Sequence, residues 1–572
     1  MKFKIIFIGV VLLLSIGLVS AEDNSTVLTT DDNPEILAND KTFDDLQTDI
    51  TTAINNGSEK LELEGKYVFS GKTVEVGSLC IDGQGKTVID GKKANKVLFS
   101  ASNVVFKNIK FINANSGVIF VDYNNVTVEN CEFINNSGEN VIGTPWVDGC
   151  LVTNSKFENN NVKKAVIDSY CSKLVLTNVE FNNNKDAILS IGGDSNVVID
   201  NITLLKNTIS SSTGIYVSDC KKFVLRNSNF KNNKISAALM RLFANNADLS
   251  NCNFTDNTGD LIIGSCNIDN CNFINTVSTY EIIFVDSNKY FTPVIKNSVF
   301  RNNKVNGNSG DCGVLVVGDK VNVVSCEFTG NSAYYGGAIY SHTSGKIDNC
   351  VFKDNTGKIA GAIFVADPKV VLTNNKFTNN KAATSNDVYG YFAIELTKTS
   401  YYCGEKITAK VKDKFTNKYV SGMTLDFVLW KNKIHSKKSV TRIAKTFDTS
   451  LLDVGNHVAV IHIADDTLQA ILIKDITVKK APTIIKAPKV TSKYKKSNYF
   501  KVNVKNKITK SPVKKTYVKI KIDKKTYKVK TNSKGVAKIN TKKLKVGKHK
   551  VVISSGSANY KMSAKSTIKI KR

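Results

Sequence analysis

The chain has 572 residues, 42% of them hydrophobic and 23% charged, with 35 Gly, 7 Pro and 12 Cys. That balance excludes a disordered or collagen-like chain, a Pro-rich stalk and a disulfide-stapled scaffold, and at ~150 residues per domain the length asks for about four domains. The net charge of +29 is unevenly placed: residues 482–572 carry 29 Lys and Arg against one acid, Asp523, whereas residues 1–395 carry 35 bases against 41 acids. A mildly acidic body bears a strongly basic tail.

Lys2 and Lys4 precede an apolar run from Ile5 to Val19, and Val19-Ser20-Ala21 supplies small residues at a cleavage site. Residues 1–21 are therefore predicted to be a signal peptide cut after Ala21, followed by an N-terminal linker over 22–41. No later stretch approaches the ~18 apolar residues of a spanning helix. The mature chain is expected to be extracellular or at the cell surface, with no integral membrane span.

Phe43, Leu46, Ile50 and Ile54 recur at helical spacing, Thr42 and Asp45 stand at capping-box spacing, and Gly57 is a natural stop. This helix runs directly into the strand-like segment 61–69. It is predicted to cover the first turn of the repeat that follows.

The repeat is Asn-x-x-Phe followed by an Asn pair. Its Asn position is held by Asn108, Asn130, Asn154, Asn178, Asn201, Asn227, Asn251, Asn270, Asn297, Asn349 and Asn374, with Ser325 in the remaining copy. Three residues on stand Phe111, Phe133, Phe157, Phe181, Phe230, Phe254, Phe273, Phe300, Phe328, Phe352 and Phe377, with Leu204 in the remaining copy. Two residues before the Asn every copy is apolar. The residue between is polar everywhere but at Val324, and Cys follows the Asn position at 131, 252, 271, 326 and 350. Polarity alternates at period two on both sides of the Asn and slips by one at the Asn itself, as a left-handed bend requires. Strand–bend–strand units of about 24 residues, without a helical period, predict an all-β fold. It is a right-handed parallel β-helix of about 12 or more rungs over residues 42–395, a rod of ~58 Å at ~4.8 Å per rung. An Asn ladder and a Phe stack are its structural columns. The Leu framework of a horseshoe repeat and the Gly-rich nonapeptides of a calcium-binding roll are both absent.

The tail divides into residues 396–481 and 482–572, each with short alternating strands. Val518, Ile520 and Ile522 alternate with Lys519 and Lys521, for example, and each segment is predicted to be an Ig-like β-sandwich. The charge on 482–572 exceeds what solubility requires. In an exported protein it points to an anionic cell-envelope polymer and away from nucleic acid.

The segment IDGQGKTVIDG (81–91), the run Val104-Val105-Phe106-Lys107-Asn108, the helix beginning Thr42-Phe43 and the repeats up to Asn380 resemble the adhesin-like β-helix surface proteins of methanogenic archaea. Phe328-x-x-Asn331 with GGAIY (336–340), and Phe352-x-x-Asn355 with GAIF (361–364), resemble repeats of the polymorphic outer-membrane autotransporters. KTNSKGVAKI (530–539) is similar to the Ig-like repeats that the archaeal proteins carry. The resemblance covers nearly the whole mature chain. It implies a pectin-lyase-like β-helix and a role in cell adhesion.

β-Helices also host lyases and hydrolases, whose chemistry needs paired acids, or a base beside a cation, on one face. Before residue 396 there is one His, His342, and Arg stands only at 226, 241 and 301. Asp82 and Asp90 lie in Gly-containing turns. Glu132, Glu180 and Glu327 share an outer column but not adjacent rungs. No Cys or His set has zinc spacing. No catalytic, cofactor-binding or metal residue is predicted, and no cofactor. Cys252 and Cys271, and Cys326 and Cys350, fall at one inward position in adjacent rungs, where parallel Cβ vectors disfavour a disulfide and buried free thiols are expected. Asn24, Asn56, Asn125, Asn135, Asn201 and Asn253 head candidate N-glycosylation sequons. The expectation is a secreted or cell-surface adhesin-like protein whose rod contacts glycans or cell-envelope polymers. The alternatives are a polysaccharide-cleaving enzyme on the same fold and a purely structural envelope protein.

Overall fold

The computed structural model describes residues 40–210, 213–307, 312–436 and 439–572. The expected signal peptide with its cut after Ala21, the expected linker as far as residue 39 and the sequon at Asn24 lie outside the described residues.

From Lys60 to Tyr389 the chain winds as a parallel β-helix with three strands to a turn, one on each face. One turn runs Gly149–Thr153, Lys156–Glu158 and Asn161–Ser169. Each strand pairs in register with its counterpart one turn on, so that Phe133, Phe157 and Phe181 lie directly over one another. Two turns, starting at Lys60 and Cys80, precede the twelve Asn/Phe units, making about 14 in all. The strand-like residues from 61 to 98 therefore do lengthen the solenoid.

The bend between the first and second strands is the repeated Asn. All eleven Asn, and Ser325, have φ between 51° and 57°. Asn tolerates this left-handed backbone better than most side chains. Its exposed amide reaches the turn before: Asn130 donates to Asn108 (2.5 Å), Asn201 to Asn178 (2.8 Å), Asn251 to Asn227 (3.1 Å) and Asn270 to Asn251 (2.8 Å). At Asn227, Asn297 and Asn374 the acceptor is a carboxylate, of Asp200, Asp269 and Asp348 respectively.

A second ladder lies inside. The Asn pair after each Phe makes the second bend: its first member is again left-handed, as at Asn135 (56°) and Asn159 (55°), and its second member turns inward. Asn160, Asn184, Asn207 and Asn233 are fully buried. The backbone N–H of each donates to Oδ1 of the next Asn (2.9–3.0 Å), while each Nδ2 donates to the carbonyl of the Phe position one turn back (2.9–3.0 Å). The corner where the strand ladder must break is thus hydrogen-bonded without solvent.

The Phe rings stack between the ladders. Phe230, Phe254 and Phe273 have centroids 4.6 and 4.8 Å apart and planes within 9°. All twelve cysteines are free thiols, and all but Cys80 are buried. In the inward column they do more than fill space: the N–H of Cys252 donates to Sγ of Cys271 and that of Cys326 to Sγ of Cys350, each at 3.5 Å. Burial pushes the thiols of Cys131, Cys220 and Cys266 up to about 12. At neutral pH the folded protein is therefore expected to leave an aromatic disulfide reagent almost unreacted, with all twelve thiols titrating after denaturation. Rapid reaction of several thiols in the native state would contradict this packing.

Both ends of the core are covered. The helix Phe43–Asn55 is opened by a Thr42–Asp45 capping box and buries Phe43, Leu46, Ile50 and Ala53. Ile54, expected on that face, is 44% exposed. The inward stripe steps three and four residues at a time and reaches Ala53, one position short of Ile54. Gln47 pairs with the edge strand Val74–Gly77, donating to the Glu75 carbonyl (3.0 Å) and accepting its N–H (2.8 Å), which blunts an open edge. At the other end Phe415 packs edge-on against Phe377, the last ring of the stack, at 5.2 Å.

Two antiparallel sandwiches follow. The first pairs a sheet containing Phe392–Leu396 and Ala409–Asp413 with one built on Leu425–Lys431, Gly455–Ile463 and Ile471–Lys479. The boundary read at residue 396 thus falls inside a sandwich strand. Phe392 and Ile394 point into that core, and the loss of the Asn repeat does not mark where the strand starts. In the second sandwich Val518, Ile520 and Ile522 are buried, and Lys519 and Lys521 are exposed.

Candidate functional site

The third face of the solenoid differs from the other two. One outward position reads Phe120, Gly143, Asp168, Ser190, Tyr216, Arg241, Ile263, Phe284, Val316, Tyr340, Phe364 and Tyr389 in successive turns. From Ile263 onward this column is apolar or aromatic, and Val316, Tyr340 and Phe364 share a core with Leu468 and Ala470 of the first sandwich. The Gln469 N–H donates to the Ala366 carbonyl (2.7 Å) and Lys414 Nζ to that of Pro368 (2.8 Å), fixing the sandwich against this half of the face.

The other half is open and carries aromatic rings. Trp146 is 81% exposed and, unusually for a bulky side chain, sits in left-handed backbone at φ 53°. Strain of that kind clusters at functional positions. Its ring lies 5.7 Å from that of Tyr170. Tyr170 packs against Gly192, where a Cβ would come within 2.5 Å of the ring, so a larger residue there would push the ring aside. Two and three turns on, Tyr216 and Phe243 form a second pair at 6.2 Å, both exposed.

Charged groups stand among these rings. Asp168 is only 7% exposed; its Oδ2 meets Lys164 Nζ at 2.5 Å and its Oδ1 has no hydrogen-bond partner. Lys164 also lies 5.4 Å from the Tyr170 ring. Arg241 borders a groove of about 560 Å³ with Asp260, Ser278, Tyr280 and Glu281. Burial raises the Asp260 carboxyl above the usual range, partly offset by the Ser278 hydroxyl bonded to it and by the nearby Arg241 guanidinium.

The residues singled out in the sequence lie elsewhere. The Asn and Phe columns form the bend and core of the other faces. Glu132 and Glu180 are interleaved with Lys156 in register, and Glu327 lies 3.7 Å from Arg301 two positions along the neighbouring strand, so each of these acids stands beside a base. Arg226 is paired with Asp200 at 2.8 Å. Asp82 and Asp90 each accept the backbone N–H two residues on (2.9 and 3.0 Å) and a lysine at 3.0 Å. Burial alone would raise both carboxyls, but these partners hold them below the usual range. His342 packs its ring 4.8 Å from Tyr340 on the third face. The sequon residues Asn56, Asn125, Asn135, Asn201 and Asn253 are all exposed. Among the described residues, no group of three or more His, Cys, Asp and Glu could hold a metal ion, and no helix is long and apolar enough to cross a membrane.

The aromatic track escaped the sequence because it follows no repeat. The third strand sits at a variable distance from the Asn, after loops of unequal length. The available signal was the rarity of the residues: Trp146 is one of two Trp in the chain.

Three overlapping stretches, residues 70–201, 146–273 and 242–401, match the model of the right-handed β-helix region, and the chain belongs to that family. No curated protein matches it. Solved structures similar to the chain include the Yersinia pseudotuberculosis adhesin InvE, at 11% identity over 31% of this chain and 58% of that one, with a TM-score of 0.18. Another is invasin, a bacterial integrin-binding protein, at 12% over 31% and 39%, with a TM-score of 0.20. A third is the S-layer protein SbsC, domains 4 and 5, at 12% over 32% and 98%, with a TM-score of 0.17. The chain spans less than two thirds of the InvE structure. TM-scores this low establish neither a shared fold nor a shared role.

Proposed function

We propose that this is an adhesin-like surface protein whose solenoid binds glycan chains along the open half of its third face, while the basic second sandwich contacts an anionic envelope polymer. One observation carries the reading: the same face that is covered by the first sandwich over its apolar half presents Trp146, Tyr170, Tyr216 and Phe243 uncovered over the rest. Rings spaced along a rigid ladder suit the apolar faces of successive sugar units, and Asp168, Ser190 and Arg241 supply donors and acceptors between them. At about 1 kcal/mol per ring, Trp146→Ala with Tyr216→Ala is expected to weaken binding of a responsive polysaccharide roughly tenfold or more, with unfolding unchanged. Gel filtration of the full chain with a panel of neutral and acidic polysaccharides measures this. Unaltered affinity in the double variant would remove the track from the account.

The groove at Arg241 favours a second reading. An acid of raised pKa beside a cation is a combination used in polysaccharide cleavage. Shortened polymer after incubation, abolished by Asp260→Asn, is the outcome that would select this reading.

A further inference from the structure

We propose that the trough between the turn at Asp523–Lys525 and the loop Asn540–Lys545 of the second sandwich is a specific binding site for a carboxylated or sulfated polysaccharide strand. The inference rests on the reading of this domain as an envelope contact and narrows it from a diffuse charge to one place.

The trough has a volume of about 650 Å³, and five lysines line it: Lys524, Lys525, Lys542, Lys543 and Lys545. None of them makes an ion pair among the described residues; the acid at hand, Asp523, is occupied. Asp523 meets His549 Nδ1 at 2.6 Å and accepts the Lys550 N–H at 3.0 Å. Five unneutralised cations around one trough match a ligand with charges at intervals along a strand better than a single anion. Tyr527 and Leu544 add an apolar wall against which a sugar ring can lie.

Elsewhere in the domain, among the described residues, lysines also stand unneutralised. Lys501 stands directly opposite Lys538, Lys519 opposite Lys528, and Lys548 opposite Lys569. Like charges facing across strands destabilise a sheet.

His549 holds the trough in shape. Its Nδ1 faces the Asp523 carboxylate and its Nε2 faces the Lys545 carbonyl at 2.8 Å. Both partners are acceptors, so only the imidazolium satisfies both at once. That bridge ties the lysine loop to the turn opposite. Around it stand one acid, Asp523, and the cations of Lys524, Lys525, Lys545, Lys548 and Lys550, from the turn, the loop and its own strand; Ile568 lies opposite on the neighbouring strand. Burial lowers the affinity of His549 for a proton, but the Asp523 and Lys545 bonds prevail and raise it above its ordinary value. The bridge is therefore fully formed below the unfolded value near 6.5 and is lost as pH rises through the higher folded value.

The test uses the full chain and oligogalacturonate of defined length, by titration calorimetry at low salt. Lys542→Gln, Lys543→Gln and Lys545→Gln together are compared with Lys501→Gln, Lys505→Gln and Lys538→Gln, which remove the same charge from the other sheet. The trough triple is expected to lose at least thirtyfold in affinity and the control less than threefold. Affinity is also expected to fall several-fold as pH rises through the raised His549 value, and His549→Gln to abolish that step. Equal losses in the two triples would overturn the trough while leaving a diffusely charged envelope domain. No binding by the unaltered chain would overturn the envelope reading itself. Equal affinity for single-stranded DNA of matched charge would overturn the assignment to carbohydrate, and a pH-independent affinity would remove His549 from it.

Discussion

Asn207→Leu is expected to cost the solenoid about 4 kcal/mol, although leucine carries as many side-chain heavy atoms with the same branch point and leaves no cavity. Asn207 Oδ1 accepts the backbone N–H and the side-chain amide of Asn184 (2.9 and 3.1 Å), and its Nδ2 donates to the Phe181 carbonyl (2.9 Å) and to Asn233 Oδ1 (3.0 Å). Leucine removes all four bonds; Asn184 Nδ2 keeps the Phe157 carbonyl and Asn233 Oδ1 keeps the residue-207 N–H, but the buried Asn184 N–H and Phe181 carbonyl lose this partner, at about 1–3 kcal/mol for each group left unsatisfied. Relaxation of the neighbouring turns keeps the total below the full sum. One natural break measures what the fold tolerates. Thr276 occupies this position in its turn, and its buried Oγ1 has no hydrogen-bond partner. The exposed outer ladder provides the control: Asn201→Gly keeps the left-handed bend, loses one solvent-exposed bond, and should cost under about 1 kcal/mol. Because each turn touches mainly its neighbours, the defect should first loosen the turns around 184–233. Hydrogen exchange resolved along the chain measures this, and similar protection in Asn207→Leu and Asn201→Gly would sink the claim.

Phe254→Ala is the second large effect, expected at about 3–5 kcal/mol. The ring is fully buried between Phe230 and Phe273, at 4.6 and 4.8 Å, and the in-register pairing of the second strand fixes both neighbours. The turns cannot close on the void without breaking their ladders. Phe254→Leu should cost much less, about 1 kcal/mol, since Leu204 already interrupts the stack between Phe181 and Phe230. Denaturant unfolding monitored turn by turn separates the two variants. An alanine variant as stable as the leucine one would mean that filling this column contributes little to stability.

Both effects sit on columns visible in the sequence, but only one column was interpreted there. The Asn before each Phe declared itself through the phase slip in polarity. The Asn pair after each Phe was equally regular, yet nothing in a linear pattern separates an exposed bend residue from its neighbour turned into the core. That distinction comes from a second left-handed residue, which rotates the following side chain inward. The capping helix shows the same limit at smaller scale: its existence and capping box were legible, and the choice of Ala53 over Ile54 for the interior was not.

By itself the sequence determined the parts that repeat: a parallel β-helix, its twelve Asn/Phe units, the bend, the ring stack, two β-rich tail segments and the concentration of positive charge in the last. Periodicity reports these because each turn meets the same local demand, and a demand met twelve times leaves a column. What lies between unlike parts was decided only by the tertiary structure. The first sandwich covers the apolar half of the third face, Trp146 and Tyr170 come together over Gly192, Arg241 and Asp260 share a groove, and His549 bridges a turn to a lysine loop. Each of these occurs once and joins residues through loops of irregular length, so no spacing encodes it, and only the packed chain brings the groups within reach.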